Sequence, residues 1–165
     1  KKNSMYKFIL SVFFFFLVSL VNGAQKSTHF DKDVFYAAMS SKSIEKINNV
    51  LTMLQSGSVA ENDAFEGALL MKKAGLVQTA KEKLHLFKTG RKKLDATIKS
   101  NSDNAEYRFL RVMIQENAPK VVNYKSELVA DCSLIQKMYK KLNESLQQII
   151  IRYSKNSKYL IIKEQ

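Results

Sequence analysis

Hydrophobic residues recur every three or four positions from residue 31 almost to the end of the chain. This is the spacing of a helix with one buried face. Asp31, Thr79 and Asn104 each precede such a run and are residue types that cap the first turn of a helix. Gly75 is expected to end the helix before it as a left-handed cap, and Pro119 ends a later helix because the residue before a proline avoids helical geometry. The pattern therefore predicts an all-α protein of five to six helices.

The most regular stretch covers residues 128–153, where the hydrophobic positions alternate between spacings of three and four. Its members are Leu128, Cys132, Ile135, Tyr139, Leu142, Leu146, Ile149 and Tyr153. This is the seam of a heptad repeat, but neighbouring hydrophobic residues widen it. The wider stripe favours packing against the rest of the domain, with self-association through this seam as the alternative. Residues 143–145 can divide the segment into two helices, and the tail, 159–165, either packs back or frays.

Two parts of the chain, 50–71 and 94–113, share one plan: a helix, a polar turn, and a second helix that opens with an aromatic residue. Residues 94–107 resemble the hinge between the two helices of a tetratricopeptide repeat, in which an asparagine/aspartate turn separates the helices. Ser102 stands where the usual proline would be, and Phe65 and Tyr107 are 42 residues apart rather than about 34. The resemblance implies stacked antiparallel helix pairs that present a groove to a protein or peptide. A compact helical bundle is the alternative.

The segment before the helices reads as a cleavable signal peptide over residues 5–23. Positive residues precede an apolar run of 14 residues at 8–21, which is shorter than the roughly 20 that a spanning helix needs. Cleavage is expected after Gly23 or Ala24, and neither position carries the cysteine that a lipoprotein anchor requires. An uncleaved anchor or a core helix is the alternative. The expected organisation is a signal peptide (5–23), a polar leader (24–30), one helical domain (31–158) and the tail, in a protein that is soluble in a periplasm or secreted.

Charge is unevenly distributed along the chain, whose net charge is +12. Residues 72–99 contain nine lysines and arginines and only two acids, whereas residues 24–71 carry a net charge of −2. Such a basic region can attract anionic lipid or an anionic polymer through long-range electrostatics, with Arg91, Lys92 and Lys93 as candidate contacts. Nucleic acid is the least expected of these ligands for an exported protein. The alternative is a solvated lysine-rich face.

Residues that could carry chemistry are sparse. His29 and His85 are isolated, Cys132 is the single cysteine, and no metal, phosphate-loop or nucleophile motif occurs. We therefore expect no catalytic, cofactor-binding or metal-binding residues, and a hydrolase with a dispersed site is a weak alternative. An exported, non-enzymatic interaction module fits the sequence better.

A candidate set of polar residues for partner binding stands near the turns of the two similar segments. It comprises Asn62, Glu66, Tyr107, Arg108 and Arg111. An arginine can hold a carboxylate through two hydrogen bonds, which suits the capture of a peptide. The alternative is an ion pair inside the chain, for example between one of the arginines and Glu66.

Overall fold

A computed structural model describes residues 30–56 and 62–162, and in these ranges the chain is helical and contains no β-strand. Its α-helices are α1 (Lys32–Ser40), α2 (Ile44–Ser56), α3 (Asn62–Ala74), α4 (Ala80–Ser100), α5 (Ala105–Asn117), α6 (Leu128–Met138) and α7 (Glu144–Ser154). Short 3-10 turns occur at Lys120–Val122 and Tyr139–Lys141. The all-α prediction is confirmed, but the described ranges contain seven α-helices rather than the five to six predicted, because residues 32–56 and 128–154 each form two.

Several predictions concern residues outside the described ranges. They are the signal peptide at 5–23, nearly all of the leader, and positions 163–165 of the tail. Within the described ranges, no helix is both long enough and apolar enough to cross a membrane.

Polar side chains begin the helices where the sequence predicts them. The Asp31 carboxylate accepts the backbone N–H of Asp33 at 2.9 Å, and the Asn104 side chain accepts the N–H of Tyr107 at 3.1 Å. The hydroxyl of Thr79 likewise accepts an N–H in the first turn of α4. These bonds satisfy backbone donors that have no partner within the helix.

The end of α3 differs from the prediction for Gly75. No glycine in the described ranges has a positive φ, so Gly75 is not a left-handed cap and that prediction is wrong. Instead, the N–H of Gly75 donates to the carbonyl of Lys72 at 3.1 Å, and the N–H of Leu76 donates to Lys73 at 2.9 Å. These tightened right-handed turns satisfy the last carbonyls of α3 without a left-handed residue.

Residues 128–153, which carry the heptad repeat, form two helices that are divided near residues 143–145, as the sequence suggested. Leu142 has an extended backbone, and the side chain of Asn143 accepts the N–H of Leu146 at 2.9 Å to start α7. Hydrophobic residues of both helices are buried in the core, including Cys132, Ile135 and Ile150. The seam is therefore used for packing within the chain.

Helices adjacent in sequence from α1 to α6 contact each other, and α3 also contacts both α1 and α5. One aromatic residue from each of these three helices forms an edge-to-face chain. The ring centroids of Phe35 and Phe65 are 4.9 Å apart, and those of Phe65 and Tyr107 are 6.1 Å apart. Phe65 and Tyr107, which each open the second helix of one of the two similar segments, are thus in direct contact.

The most extensive helix contact joins α3 and α4, and two glycines lie at its centre. A β-carbon on Gly67 would lie 2.6 Å from the carbonyl oxygen of Gly90 and 2.8 Å from the backbone nitrogen of Leu94. A β-carbon on Gly90 would lie 2.4 Å from the carbonyl oxygen of Gly67. The two backbones approach so closely that neither position accommodates a side chain.

The described part of the tail packs against the domain through Glu116 on α5. The Glu116 carboxylate accepts the hydroxyls of Tyr153 and Ser157, the backbone N–H of Lys158 at 2.9 Å and, within the tail, the backbone N–H of Tyr159 at 3.2 Å. Leu160 follows and is completely buried. Residues 159–162 of the tail therefore pack back against the domain and do not fray.

Gly67→Ala and Gly90→Ala should each lower the free energy of unfolding by about 3 kcal/mol, because the new methyl group meets rigid backbone atoms. Gly75→Ala is the matched control. Its β-carbon would lie 3.4 Å from the nearest atom, so its effect should stay within about 0.5 kcal/mol. Urea denaturation followed by circular dichroism measures all three. Equal midpoints for Gly67→Ala and Gly75→Ala would show that the helices can separate without cost.

Candidate functional site

The structure uses the candidate residues on α3 for internal contacts. Glu66 accepts a hydrogen bond from the Gln55 side chain at 3.1 Å and lies 3.0 Å from the ammonium group of Lys93. The side-chain amide of Asn62 donates to the carbonyl of Leu54 at 2.9 Å. These bonds hold α2 and α4 against α3.

The two candidate arginines on α5 bind a carboxylate of the same chain. Asp131 on α6 is completely buried and accepts bonds from Arg111 Nε at 2.6 Å and Nη2 at 2.8 Å, and from Arg108 Nη1 at 2.7 Å. The internal ion pair is therefore present, but the suggested partner Glu66 is wrong. Tyr107, the remaining member of the set, is buried in the aromatic chain.

A second carboxylate, Asp95 on α4, extends this cluster. It accepts the hydroxyl of Tyr124 at 2.6 Å and Arg91 Nε at 3.3 Å, and it lies 3.6 Å from Arg111 Nη1. Burial and then the hydrogen bond to Asp95 raise the pKa of Tyr124. Burial acts to lower the pKa of Arg111, but the hydrogen bonds and charge of Asp131 outweigh it and raise that pKa. The cluster thus joins α4, α5 and α6.

The candidate contacts for an anionic ligand separate into two groups. Arg91 pairs with Asp95, and Lys93 bridges Asp63 at 2.6 Å and Glu66 at 3.0 Å. The hydrogen bond to Asp63 is the main factor that raises the pKa of Lys93. Lys92 is exposed and faces away from α3. Among the described residues, Arg91 and Lys93 thus form ion pairs and Lys92 does not.

A groove that the sequence did not predict opens where α1, α3 and α5 end and α4 begins. Its volume is about 660 Å³. Its lining consists of hydrophobic side chains from these four helices, from the residues after α3 and from the 3-10 turn at Lys120–Val122. They are Met39, Met71, Leu76, Leu84, Phe87, Met113, Ile114, Val121 and Val122. Leu84 is 51% exposed and Val121 is 89% exposed. We call this the methionine groove, since three methionines from three helices lie in it.

Lysines border the methionine groove. Lys72 and Lys83 both belong to its lining. Burial, and to a lesser extent the positive charge of Lys42, lowers the pKa of Lys72. The border of the groove therefore carries positive charge.

A second groove, of about 880 Å³, adjoins the first and shares Ser40, Met113, Asn117 and Tyr153 with it. Its lining mixes charges, with Asp33 from α1, Arg152 from α7 and Glu116 from α5, although Glu116 already holds the tail. It therefore offers less apolar surface than the methionine groove and carries charges of both signs.

Two features of the described residues bear on metal binding and nucleophilic chemistry. They contain no group of three His, Cys, Asp or Glu side chains that could hold a metal ion. Burial, together with the charges of Glu116 and Asp131, raises the pKa of Cys132 to about 11. This thiol stays protonated at neutral pH and is a poor nucleophile.

In comparisons with protein-family models, curated proteins and solved structures, nothing matches this chain. A function therefore has to be inferred from its own side chains and grooves.

Asp131→Asn should lower the free energy of unfolding by about 3–5 kcal/mol, because it leaves the buried guanidinium of Arg111 without a full counter-charge. Asp103→Asn, at an exposed position, is the control and should change stability by no more than about 0.5 kcal/mol. Thermal and urea denaturation provide the comparison. A stable Asp131→Asn variant would contradict a structural role for the cluster.

Proposed function

We propose that the protein is an exported, non-enzymatic interaction module that binds a peptide segment in the methionine groove. The observation that carries this proposal is the groove itself, which combines the exposed side chains of Leu84 and Val121 with a floor of buried hydrophobic side chains from four helices. Its volume lies within the range of about 300–1,000 Å³ that is typical of binding sites.

The occupant that fits best is an amphipathic helix with an acidic residue beside its apolar face. Methionine side chains are flexible and polarizable, so the partly exposed Met113 can adapt to the apolar face of a bound helix, over a floor formed by Met39 and Met71, which are 3% and 4% exposed. Recognition of this kind uses apolar anchors spaced three and four residues apart. The acidic residue would meet Lys72 or Lys83 at the border of the groove.

The helix contacts support a tetratricopeptide-like arrangement for this module. α1, α3 and α5 form one row in which α3 contacts both of the others, while α2 and α4 each contact the helices before and after them in sequence and α6 contacts α5. Rows of this type occur where helix pairs stack into a repeat. The contact between Phe65 and Tyr107, which occupy corresponding positions in the two similar segments, also supports this reading.

Peptides selected from a random library against the purified protein should carry apolar residues at helical spacing and at least one Asp or Glu. The paired substitutions Leu84→Glu and Val121→Glu change two exposed groove residues and should reduce the affinity of a selected peptide at least tenfold. Fluorescence anisotropy with that peptide provides the measurement.

The matched control is Val129→Glu, which changes an exposed residue of α6 that lies outside both grooves. It should leave peptide affinity unchanged. Selected peptides without the apolar spacing, or equal binding by the groove variant, would refute the proposed site.

Export is the second part of the proposal and is supported by the composition of residues 5–23. The protein recovered from the periplasm or medium should begin at Ala24 or Gln25. Intact-mass measurement and N-terminal sequencing test this. A protein that retains residues 5–23 in the cytoplasm would contradict export.

A further inference from the structure

The longest helix, α4, carries a row of lysines on its outer side. Lys81, Lys88, Lys92 and Lys99 follow one another at intervals of seven, four and seven residues, and all four are exposed. At 3.6 residues per turn these intervals place them within an arc of about 40°, along a length of about 27 Å. The buried residues Phe87, Gly90 and Leu94 occupy the opposite side of α4. We call this row the outer lysine stripe.

The positive charges of the outer lysine stripe are unpaired among the described residues. No salt bridge between described residues involves any of its four lysines. Two of the acidic residues near α4 are engaged elsewhere, since Asp95 pairs with Arg91 and Asp63 pairs with Lys93, and the exposed Glu82 forms no ion pair with the described lysines. The ion pairs thus leave four positive charges in line on one exposed surface.

We infer that the outer lysine stripe docks the protein on the surface of a membrane that contains anionic lipids. A straight row of charges on a rigid helix can meet a flat layer of headgroups all at once. Leu84 lies three residues after Lys81 and four before Lys88, so it borders the stripe and is 51% exposed. An apolar side chain beside a basic face is typical of helices that lie at the lipid–water interface.

The composition of this surface favours lipid over nucleic acid. Lysine presents a compact charge that attracts headgroups without a fixed geometry, whereas binding of nucleic acid commonly uses arginine forks and stacked aromatic rings. The one arginine of α4, Arg91, is directed to Asp95 and lies over the ring of Tyr124 at 4.7 Å. The stripe itself contains neither an arginine nor an aromatic residue.

The test is co-sedimentation with phosphatidylcholine vesicles prepared with and without phosphatidylglycerol, at low and high salt. The protein should bind only the vesicles that contain phosphatidylglycerol, and salt should weaken the binding. Each lysine near an anionic surface contributes about a fivefold gain in binding, so changing all four stripe lysines to Gln should lower binding about 100-fold or more.

The control variant changes Lys46, Lys137, Lys141 and Lys155 to Gln, which removes the same charge from exposed positions on other helices and turns. It should retain most of the vesicle binding. Equal losses in both variants would show that net charge alone is responsible and would overturn the proposal. So would wild-type binding to uncharged vesicles, or a stripe variant that loses only retention on duplex DNA. The stripe variant should still bind peptides selected for the methionine groove, so the two proposals can fail separately.

Discussion

The backbone contact between Gly67 and Gly90 determines how α4 packs on α3, and the two proposed binding surfaces depend on that placement. The contact brings Lys93 within reach of Asp63 and Glu66, which adds polar bonds beside the apolar interface. It also holds the start of α4 next to the end of α3, where the two helices form walls of the methionine groove. Because one side of α4 is fixed against α3, its opposite side faces outward and carries the outer lysine stripe.

A second constraint is the burial of Asp131, which joins α6 to α5. A buried carboxylate is costly unless charged donors surround it, and three hydrogen bonds from Arg108 and Arg111 meet this requirement. Asp95 and Tyr124 continue the cluster to α4. The polar residues that looked most suitable for binding a partner are therefore needed to hold the helices together, and the surface that remains for binding is mainly apolar or lysine-rich.

Much of the helical pattern could be predicted because its signals are local. The side chains of Asp31, Thr79 and Asn104 bond to backbone groups two or three residues away, so the sequence contains both partners of each cap. The close contact of Gly67 with Gly90 could not be predicted in this way, because a glycine inside a helical pattern gives no indication of a neighbour 23 residues later. Likewise, nothing near Arg111 in the sequence indicates that its partner is Asp131.

The methionine groove could not be predicted because its walls come from four helices and the 3-10 turn at Lys120–Val122. The basic region at 72–99 was visible, but the identity of its unpaired lysines depends on where Asp63 and Asp95 lie.

The two proposed surfaces are connected through α4. Leu84 borders the outer lysine stripe and also lines the methionine groove, so the groove opens at the edge of the surface that would face the lipid. A helix is about 10 Å across, and the groove would then lie within roughly one helix diameter of the headgroups. Lys72 and Lys83 would remain at the border of the groove and separate from the stripe, where they can meet an acidic residue of a bound helix. This geometry favours a partner whose amphipathic segment lies close to the membrane surface, because such a segment can enter the groove while α4 stays in contact with the lipid.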